Sequence, residues 1–287
     1  MKLHYIFLIG IIAAACSPVS KRALNKQFIS LEAKLHDHTG FMLYDLQQKK
    51  ELYAFQSDKY FTPASNTKIF TLYTSLVVLG DSVPGLRYTE SGDSLIFAGT
   101  GDPSLLYEKI YDSGKTFAFL SGSNKKLFLA DGNFFTSALG PGWSWDDLPF
   151  TYSSERSALP VYGNYLTLRQ SGSVIKTQPA YFSFNIAVKD SVEKPLLERA
   201  AGSNTINLYP AKTADANNWK TPFKTSAELT AGLLSDTLKK EVAVISRMLP
   251  PAAKTLYSLP ADTLYKAMMQ ESDNFIAEQL LLVCSGV

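Results

Sequence analysis

The stretch FTPASNTKIFTLY, residues 61–73, is the part of this sequence from which a fold and a chemistry can be inferred. A proline and an alanine precede a polar turn and then an apolar run, which predicts a turn that leads into a helix. Ser65 lies at the predicted start of this helix, and Lys68 follows three residues later. Because residues three apart share a helix face, the spacing can bring a nucleophilic hydroxyl to an amine base.

The context of Ser65 distinguishes it from the other copies of the same pattern. Ser-x-x-Lys begins at Ser65, Ser123, Ser173 and Ser191. Only the first copy precedes an amphipathic run, in which Leu72, Leu76 and Leu79 are expected on one helix face before an end near Gly80. The alternative for Ser65 is a helix N-cap serine followed by a solvated lysine.

A second motif, Ser272-Asp273-Asn274, falls between two helix-like runs, where a loop can present side chains to a cleft. An N-cap role for Ser272 is the alternative, and the two roles are compatible. Another Ser-x-Asn, at Ser183, lies in the alternating stretch 181–188 and is predicted to be strand. Ser-x-x-Lys combined with Ser-Asp-Asn is typical of penicillin-binding proteins and class A β-lactamases.

The composition describes a globular chain that is large enough for more than one domain. It has 287 residues, of which 46% are hydrophobic and 19% charged, and a net charge of +2. No basic stripe supports a nucleic-acid partner, and no ligand spacing supports a metal. The Gly-Thr-Gly at 99–101 lacks the remainder of a phosphate-binding loop, so no cofactor is expected. A Ser-His-Asp triad would have to use His36 or His38.

The N-terminus predicts export and a lipid anchor. Residues 1–15 have the pattern of a short signal peptide, with an apolar run too short to span a bilayer comfortably. Cys16 follows three alanines and resembles the cysteine of a bacterial lipobox, so 16–24 is interpreted as a lipidated tether. The expected location is the cell envelope or periplasm, with the protein anchored to a bacterial membrane. Cys284 is expected to be a buried small hydrophobe.

Local patterns divide the remaining chain into a core and an insertion. A helix is predicted over 25–35, and a hairpin over 41–46 and 51–55. Short strand-like runs begin at about residue 86. Helical spacing returns at about residue 226, through Leu229, Leu233, Leu238, Val242 and Ile245. The predicted domains are therefore 25–85 and 223–287 for the two parts of a core, with an inserted domain at 86–222.

In four segments the chain resembles the class C low-molecular-mass penicillin-binding proteins, which are D-alanyl-D-alanine carboxypeptidases and endopeptidases. The matching segments, in the family's order, are 63–68, 99–105, 143–149 and 271–280. The resemblance implies an α+β fold with a serine β-lactamase/DD-peptidase-like core, an antiparallel sheet with helices, and a large inserted strand-rich domain. The wide separation of the two motifs disfavours a class A β-lactamase.

One departure from the family concerns its third motif. No Lys-Thr pair in this sequence is followed by Gly. We therefore expect a core that is incomplete at the C-terminus, in a chain truncated relative to a functional parent. The resemblance implies that the missing strand lines the cleft and supplies one oxyanion amide. Weak or no penicillin labelling of the 287-residue chain is expected.

The resemblance also implies roles for individual residues. Ser65 would be the nucleophile and Lys68 its base. Ser272 would relay a proton to the leaving D-Ala, and Asn274 would bind the substrate amide and orient Lys68. The substrates would be peptidoglycan stem peptides, and β-lactams would be covalent inhibitors that acylate Ser65.

In the inserted domain, Asp147 and Tyr152 are implied to face the side chain of a stem-peptide residue. The alternative is a turn-capping aspartate beside a packed aromatic, and Trp143 and Trp145 are expected in the core. Two further functions stay open. One is a β-lactamase or esterase of the same superfamily, and the other is a non-catalytic cell-wall-binding lipoprotein.

Overall fold

The structure is a computed structural model that describes residues 20–110, 114–172, 174–200, 202–212 and 217–286. The predicted signal peptide and Cys16 lie outside the described residues. No helix in the described ranges is both long enough and apolar enough to cross a bilayer. The chain divides into two units, Met1–Ala64 and Ser65–Val287.

The described part of the first unit is a helix followed by a hairpin. Its elements are α1 (Lys21–Leu35), β1 (Phe41–Asp45) and β2 (Lys50–Phe55). The strands pair antiparallel, which confirms the predicted hairpin. The helix begins earlier than predicted because the Ser20 side chain accepts a hydrogen bond from the Ala23 N–H at 3.2 Å and caps the first turn. Phe28 stacks on Phe55 with ring centroids 5.1 Å apart and packs the helix on the hairpin.

The second unit is built around one mixed sheet. Its strands are β3 (Ser82–Ser91), β4 (Ser94–Gly99), β5 (Lys126–Ala130), β12 (Val242–Ile245) and β13 (Lys254–Pro260). They lie in the order β12-β5-β4-β3-β13, with β4, β5 and β12 parallel and the other pairings antiparallel. Helices α3 (Lys115–Gly122) and α4 (Ala227–Leu238) supply Leu120 and Leu234 to the buried cluster that contains Phe97 and Leu127.

Two smaller sheets separate β5 from α4 along the chain. Their strands are β6 (Tyr165–Ser171), β7 (Val174–Gln178), β8 (Ile186–Val188), β9 (Leu196–Arg199), β10 (Ile206–Tyr209) and β11 (Asn217–Pro222). The orders are β11-β6-β7 and β8-β10-β9, and Leu166, Leu208 and Phe182 belong to their shared core. The strand predicted around Ser183 is wrong, because Ala180–Asn185 forms a 3-10 helix.

Helices α2 (Lys68–Val78), α5 (Ala261–Gln270) and α6 (Asn274–Ser285) carry the two sequence motifs. The helix predicted after Ser65 is confirmed, but its apolar face is not as expected. Leu72 and Leu79 pack against the core, whereas Leu76 is 56% exposed. The buried side of α2 instead carries Lys68 and Ser75, because polar groups there face α6.

The helical pattern after residue 226 also ends earlier than predicted. Lys239 adopts a left-handed backbone conformation (φ 54°) that terminates α4. Val242 and Ile245 then lie in β12, where they pair with β5 in a parallel ladder. The α+β class is confirmed. The main sheet combines β3, β4 and β5 with β12 and β13, and the domain boundaries at 86 and 222 stay predictions.

Candidate active site

Ser65 and Lys68 lie on successive turns where the chain enters α2. Ser65–Thr67 forms a 3-10 turn, and the α-helix begins at Lys68. The Lys68 ammonium donates a hydrogen bond to Ser65 Oγ at 3.1 Å. Ser65 is exposed, while Lys68 is only 7% exposed. The pair therefore presents a reachable hydroxyl above a buried amine.

Asn274 reaches the same amine from the other end of the sequence. It is the first residue of α6, and its Oδ1 accepts a hydrogen bond from Lys68 Nζ at 2.5 Å. Helices α2 and α6 pack side by side, as the contact of Cys284 Sγ with Ser75 Oγ at 3.6 Å also shows. Three of the four predicted catalytic residues thus meet at one nitrogen atom.

Asp273 fixes the start of α6 and was not assigned a role from the sequence. Its Oδ1 accepts the Ile276 N–H at 3.0 Å, which is an N-cap. Its Oδ2 accepts the Tyr107 hydroxyl at 2.7 Å and the Lys109 ammonium at 2.9 Å. The residue is 5% exposed, so a carboxylate with three donors anchors the residue before Asn274.

On Lys68 and on Asp273 alike, burial and polar neighbours shift the pKa in opposite directions. Burial lowers the pKa of Lys68, and the nearby Asp273 charge partly offsets this shift. Burial would raise the pKa of Asp273, but the hydrogen bonds from Lys109, the Ile276 N–H and Tyr107 hold it below its usual value. Asp273 therefore stays ionised, while Lys68 loses its proton more easily than a solvated lysine does.

Ser272, the fourth predicted catalytic residue, lies in the turn between α5 and α6. Its backbone is left-handed (φ 51°) and its side chain is exposed. Among the described residues, no hydrogen bond joins its hydroxyl to Ser65 or Lys68. The structure thus places Ser65 and Asn274 each in contact with Lys68. Ser272 lies two residues before Asn274 and is exposed.

The Gly-Thr-Gly segment at 99–101 supports α6. Gln279, which is fully buried, donates from Nε2 to the Gly101 carbonyl at 2.7 Å. Gly101 has φ +87°, and a Cβ there would lie 3.0 Å from the Leu282 Cβ. The motif therefore needs glycine for a close approach of loop and helix, and its role here is structural.

Asp147 and Tyr152 form a hydrogen-bonded pair outside this centre. The Tyr152 hydroxyl donates to Asp147 Oδ1 at 2.9 Å. The Asp147 Oδ2 accepts the Ser144 N–H at 3.0 Å and the Ser144 hydroxyl at 2.9 Å. The Ser144 donors and then the Tyr152 hydroxyl lower the pKa of Asp147. The contacts of Oδ2 are those of a turn-capping aspartate, as the alternative interpretation expected. The Oδ1 atom is instead held by the hydrogen bond from Tyr152.

The neighbouring tryptophans are less buried than expected. Trp145 is 81% exposed, so its predicted place in the core is wrong. Trp143 is partly buried, and its Nε1 donates to Glu278 Oε1 at 2.8 Å. Glu278 lies four residues after Asn274 on α6, on the same helix face. This contact links the Asp147 turn to the helix that carries Asn274, and the sequence offered no signal for it beyond the presence of both residues in the matching segments.

The sequence is similar to those of known proteins over most of its length. Residues 24–286 match the model of the D-Ala-D-Ala carboxypeptidase 3 (S13) family. The chain is 26% identical over 281 residues to D-alanyl-D-alanine carboxypeptidase DacB of Haemophilus influenzae, covering 85% of this chain and 58% of that protein. It is 31% identical over 210 residues to a D-alanyl-D-alanine carboxypeptidase of an Actinomadura species, covering 62% and 38% respectively.

A solved structure shows the same fold. The crystal structure of penicillin binding protein 4 (dacB) from Haemophilus influenzae matches with a TM-score of 0.60 and 21% identity, covering 85% of this chain and 62% of that one. The predicted DD-peptidase-like fold is confirmed by this match. The chain spans less than two thirds of the length of each of these relatives.

Proposed function

The chain belongs to the D-Ala-D-Ala carboxypeptidase 3 (S13) family, and on that premise we propose that Ser65 is the nucleophile of a serine D-alanyl-D-alanine carboxypeptidase or endopeptidase that acts on peptidoglycan stem peptides. The supporting observation is the double contact of Lys68 Nζ, at 3.1 Å from Ser65 Oγ and 2.5 Å from Asn274 Oδ1. A solvated N-cap serine and lysine would not require a buried amine shared with a residue from a distant helix.

The first step transfers the Ser65 proton to Lys68. When Lys68 is neutral, the donor and acceptor of the 3.1 Å hydrogen bond exchange roles, and the Ser65 hydroxyl donates to the amine. Ser65 Oγ then attacks the carbonyl carbon of the penultimate D-Ala while the proton moves to Lys68 Nζ. The lowered pKa of Lys68, caused by burial, increases the neutral fraction that this step needs.

The second step expels the terminal D-Ala. The backbone N–H of Ser65, at the helix start, supplies one donor to the tetrahedral oxyanion. The carbon–nitrogen bond breaks, and Ser272 gives its proton to the leaving amine while it takes the proton held by Lys68, which returns the lysine to the neutral amine. The exposed position of Ser272, two residues before Asn274, supports this assignment. Asn274 binds the substrate amide through its remaining hydrogen-bonding groups.

The third step is hydrolysis of the acyl-enzyme. Water adds to the Ser65 ester carbonyl and gives a proton to Lys68, and the ester bond breaks as Lys68 returns that proton to Ser65 Oγ. β-Lactams follow the same route as far as the ester. Because their leaving group stays attached to the acyl part, they are expected to remain on Ser65.

Asp147 and Tyr152 are proposed to recognise the stem-peptide side chain. Their 2.9 Å hydrogen bond presents a carboxylate and a half-exposed phenol together. The link from Trp143 to Glu278 supports a position beside the α6 helix. With an amine-bearing side chain as substrate, we expect Asp147→Asn to raise KM while leaving kcat nearly unchanged, because the ground-state and transition-state contacts are lost equally.

The nucleophile assignment is tested with a fluorescent penicillin and peptide mapping of the adduct. We expect labelling that is confined to Ser65 and abolished by Ser65→Ala. Ser123→Ala removes a serine from another Ser-x-x-Lys and serves as the matched control. An adduct on another serine, or equal labelling of both variants, would contradict the assignment.

The same experiment separates the alternatives. A long-lived adduct favours the peptidase, whereas rapid release of hydrolysed penicillin favours a β-lactamase. Complete absence of an adduct at Ser65 favours a non-catalytic wall-binding lipoprotein. Release of D-Ala from a stem pentapeptide, measured in parallel, tests the peptidase activity itself.

We also propose that residues 1–15 direct export and that Cys16 carries a lipid anchor to a bacterial membrane in the cell envelope. This segment lies outside the described residues, so the proposal depends on the sequence pattern alone. Metabolic labelling with a fatty acid should mark the wild-type protein. Cys16→Ser should abolish the label, and a label that persists in this variant would refute the anchor.

A further inference from the structure

All three tryptophans of this chain lie around one groove that the proposed mechanism does not use. Trp145 and Trp219 line the groove, which has a volume of about 750 Å³. Trp143 lies 5.9 Å from the Tyr152 ring, and Tyr152 stacks on Phe150, which also lines the groove. Ser65, Lys68 and Asn274 do not line it.

The aromatic side of the groove is held rigidly in an exposed position. Trp145 begins a 3-10 turn in which Ser144 and Asp147 cap each other reciprocally. The Trp145 side chain is nevertheless 81% exposed, and Phe150 is 54% exposed. The Phe150 and Tyr152 rings are nearly parallel, at 8° and 5.4 Å. Large apolar rings held in solvent by a capped turn are typical of a binding surface.

The opposite side supplies polar groups. It is formed by β9, β10 and β11, and includes Arg199 and Asn207. Arg199 Nη1 donates to the carbonyls of Ala200 at 3.2 Å and Ser203 at 3.1 Å, which fixes the guanidinium. Its Nε is buried and has no hydrogen-bond partner among the described residues. Arg199 therefore lines the groove with its guanidinium held in place.

The charge of the groove is close to balanced. Among the described residues that line it, the cations are Arg199 and Lys220, and Glu198 is a carboxylate. Lys220 is already hydrogen-bonded to Glu108. A strongly anionic or cationic ligand would find little net attraction here. An uncharged ligand with flat apolar faces and hydroxyl or amide groups at its edges matches both sides.

We propose that this groove binds an uncharged N-acetylated saccharide chain, with a sugar ring packed on Trp145. The C–H groups of a pyranose ring form an apolar face that suits an indole, while its hydroxyl and acetamido groups suit Arg199 and Asn207. The inference deepens the proposed function, on which its biological meaning rests, because stem peptides are attached to such a chain. Binding there would hold the polymer while a peptide enters the Ser65 site.

The test is calorimetric titration of the chain with the uncharged tetramer of N-acetylglucosamine. We expect wild-type protein to bind it and Trp145→Ala to bind about tenfold more weakly, with Trp145→Tyr intermediate. Phe184→Ala, which removes a 98% exposed aromatic outside the groove, is the matched control and should bind as wild type. Far-UV circular dichroism verifies that each variant is folded.

Failure of the wild-type protein to bind the tetramer overturns the inference, as does equal affinity in Trp145→Ala and Phe184→Ala. A charged stem peptide that binds with the same Trp145 dependence, while the saccharide does not, also overturns it. Ser65→Ala should leave saccharide affinity unchanged. Saccharide binding without an adduct at Ser65 would refute the proposed function alone, and an adduct without saccharide binding would refute this inference alone.

Discussion

Replacement of Asp273 by alanine should destabilise the protein by about 3 kcal/mol. Loss of the N-cap to Ile276 accounts for about 1 kcal/mol. The buried Tyr107 hydroxyl loses its 2.7 Å acceptor, for about 1–2 kcal/mol. Lys109 contributes less than 1 kcal/mol, because its side chain is 38% exposed and can turn toward water.

The assay is urea denaturation followed by far-UV circular dichroism at neutral pH. Asp273→Asn keeps the cap through its one carbonyl oxygen, but it turns an NH2 donor toward Tyr107 and Lys109 in place of Oδ2. Because the Tyr107 hydroxyl can turn to accept from that group, the loss should be about 1–2 kcal/mol, less than for Asp273→Ala. Asp236→Ala breaks an exposed pair with Lys239 and is the matched control, with an expected change below about 0.5 kcal/mol. A cost under about 1 kcal/mol for Asp273→Ala, or an equal cost for Asp273→Asn and Asp273→Ala, would contradict this prediction.

Three further outcomes are expected. Hydrogen bonds hold the pKa of Asp273 below its value in the unfolded chain, so the charge of Asp273 stabilises the protein above about pH 4. The difference in unfolding free energy between the wild type and Asp273→Asn should therefore shrink on acidification. A difference that stays constant from pH 7 to 2 would contradict this. Lys68→Ala should slow penicillin acylation by about 10²–10⁴-fold. In the wild type, the acylation rate should fall as the pH drops through the Lys68 pKa, which burial places below that of free lysine. The rate is measured at each pH by gel fluorescence of samples quenched at fixed times, and a rate that does not change with pH would show that Lys68 is not the base. Gly99→Ala places a Cβ 2.1 Å from the Ala158 carbonyl oxygen and should lower the free energy of unfolding, measured in urea, by about 3 kcal/mol. Gly122→Ala is the control, because a Cβ there meets nothing within 4 Å and stability should hardly change. Similar urea midpoints for the two variants would show that the loop at Ala158 moves freely.

The contact between Ser65 and Lys68 could be predicted because both residues lie within one turn. Helical spacing fixes which side chains are neighbours whatever the rest of the chain does. The hairpin in the first unit was predictable for the same reason, since a polar turn between two apolar runs is local information. The proximity of Asn274 came only from the family resemblance, because spacing cannot report which helices pack together.

The sequence pattern gave wrong predictions for segments whose structure is determined by tertiary contacts. Val242 and Ile245 continue a helical spacing, yet β5 offers a free edge and Lys239 can adopt the left-handed conformation, so the segment joins the sheet. Trp145 was expected in the core, but the capped turn places it 81% exposed. Hydrophobicity alone could not distinguish a core residue from a binding surface.

The anchoring of Asp273 could be predicted only in part. An aspartate directly before a helix-like run indicates an N-cap. Its partners Tyr107 and Lys109 lie in another part of the sequence, and nothing in their spacing points to position 273. The same holds for Glu278 and Trp143, which are paired by the packing of α6 against a loop.

The α6 helix carries Asn274, Glu278 and Gln279, each directed to a different neighbour in the structure. One residue added between positions 274 and 278 would rotate everything after it by about 100° around the helix axis. Such a change would keep every amino acid and still uncouple the lysine contact from the tryptophan and glycine contacts. The length of this short interval is therefore as constrained as its composition, since Phe275, Ile276 and Ala277 within it are buried in the core.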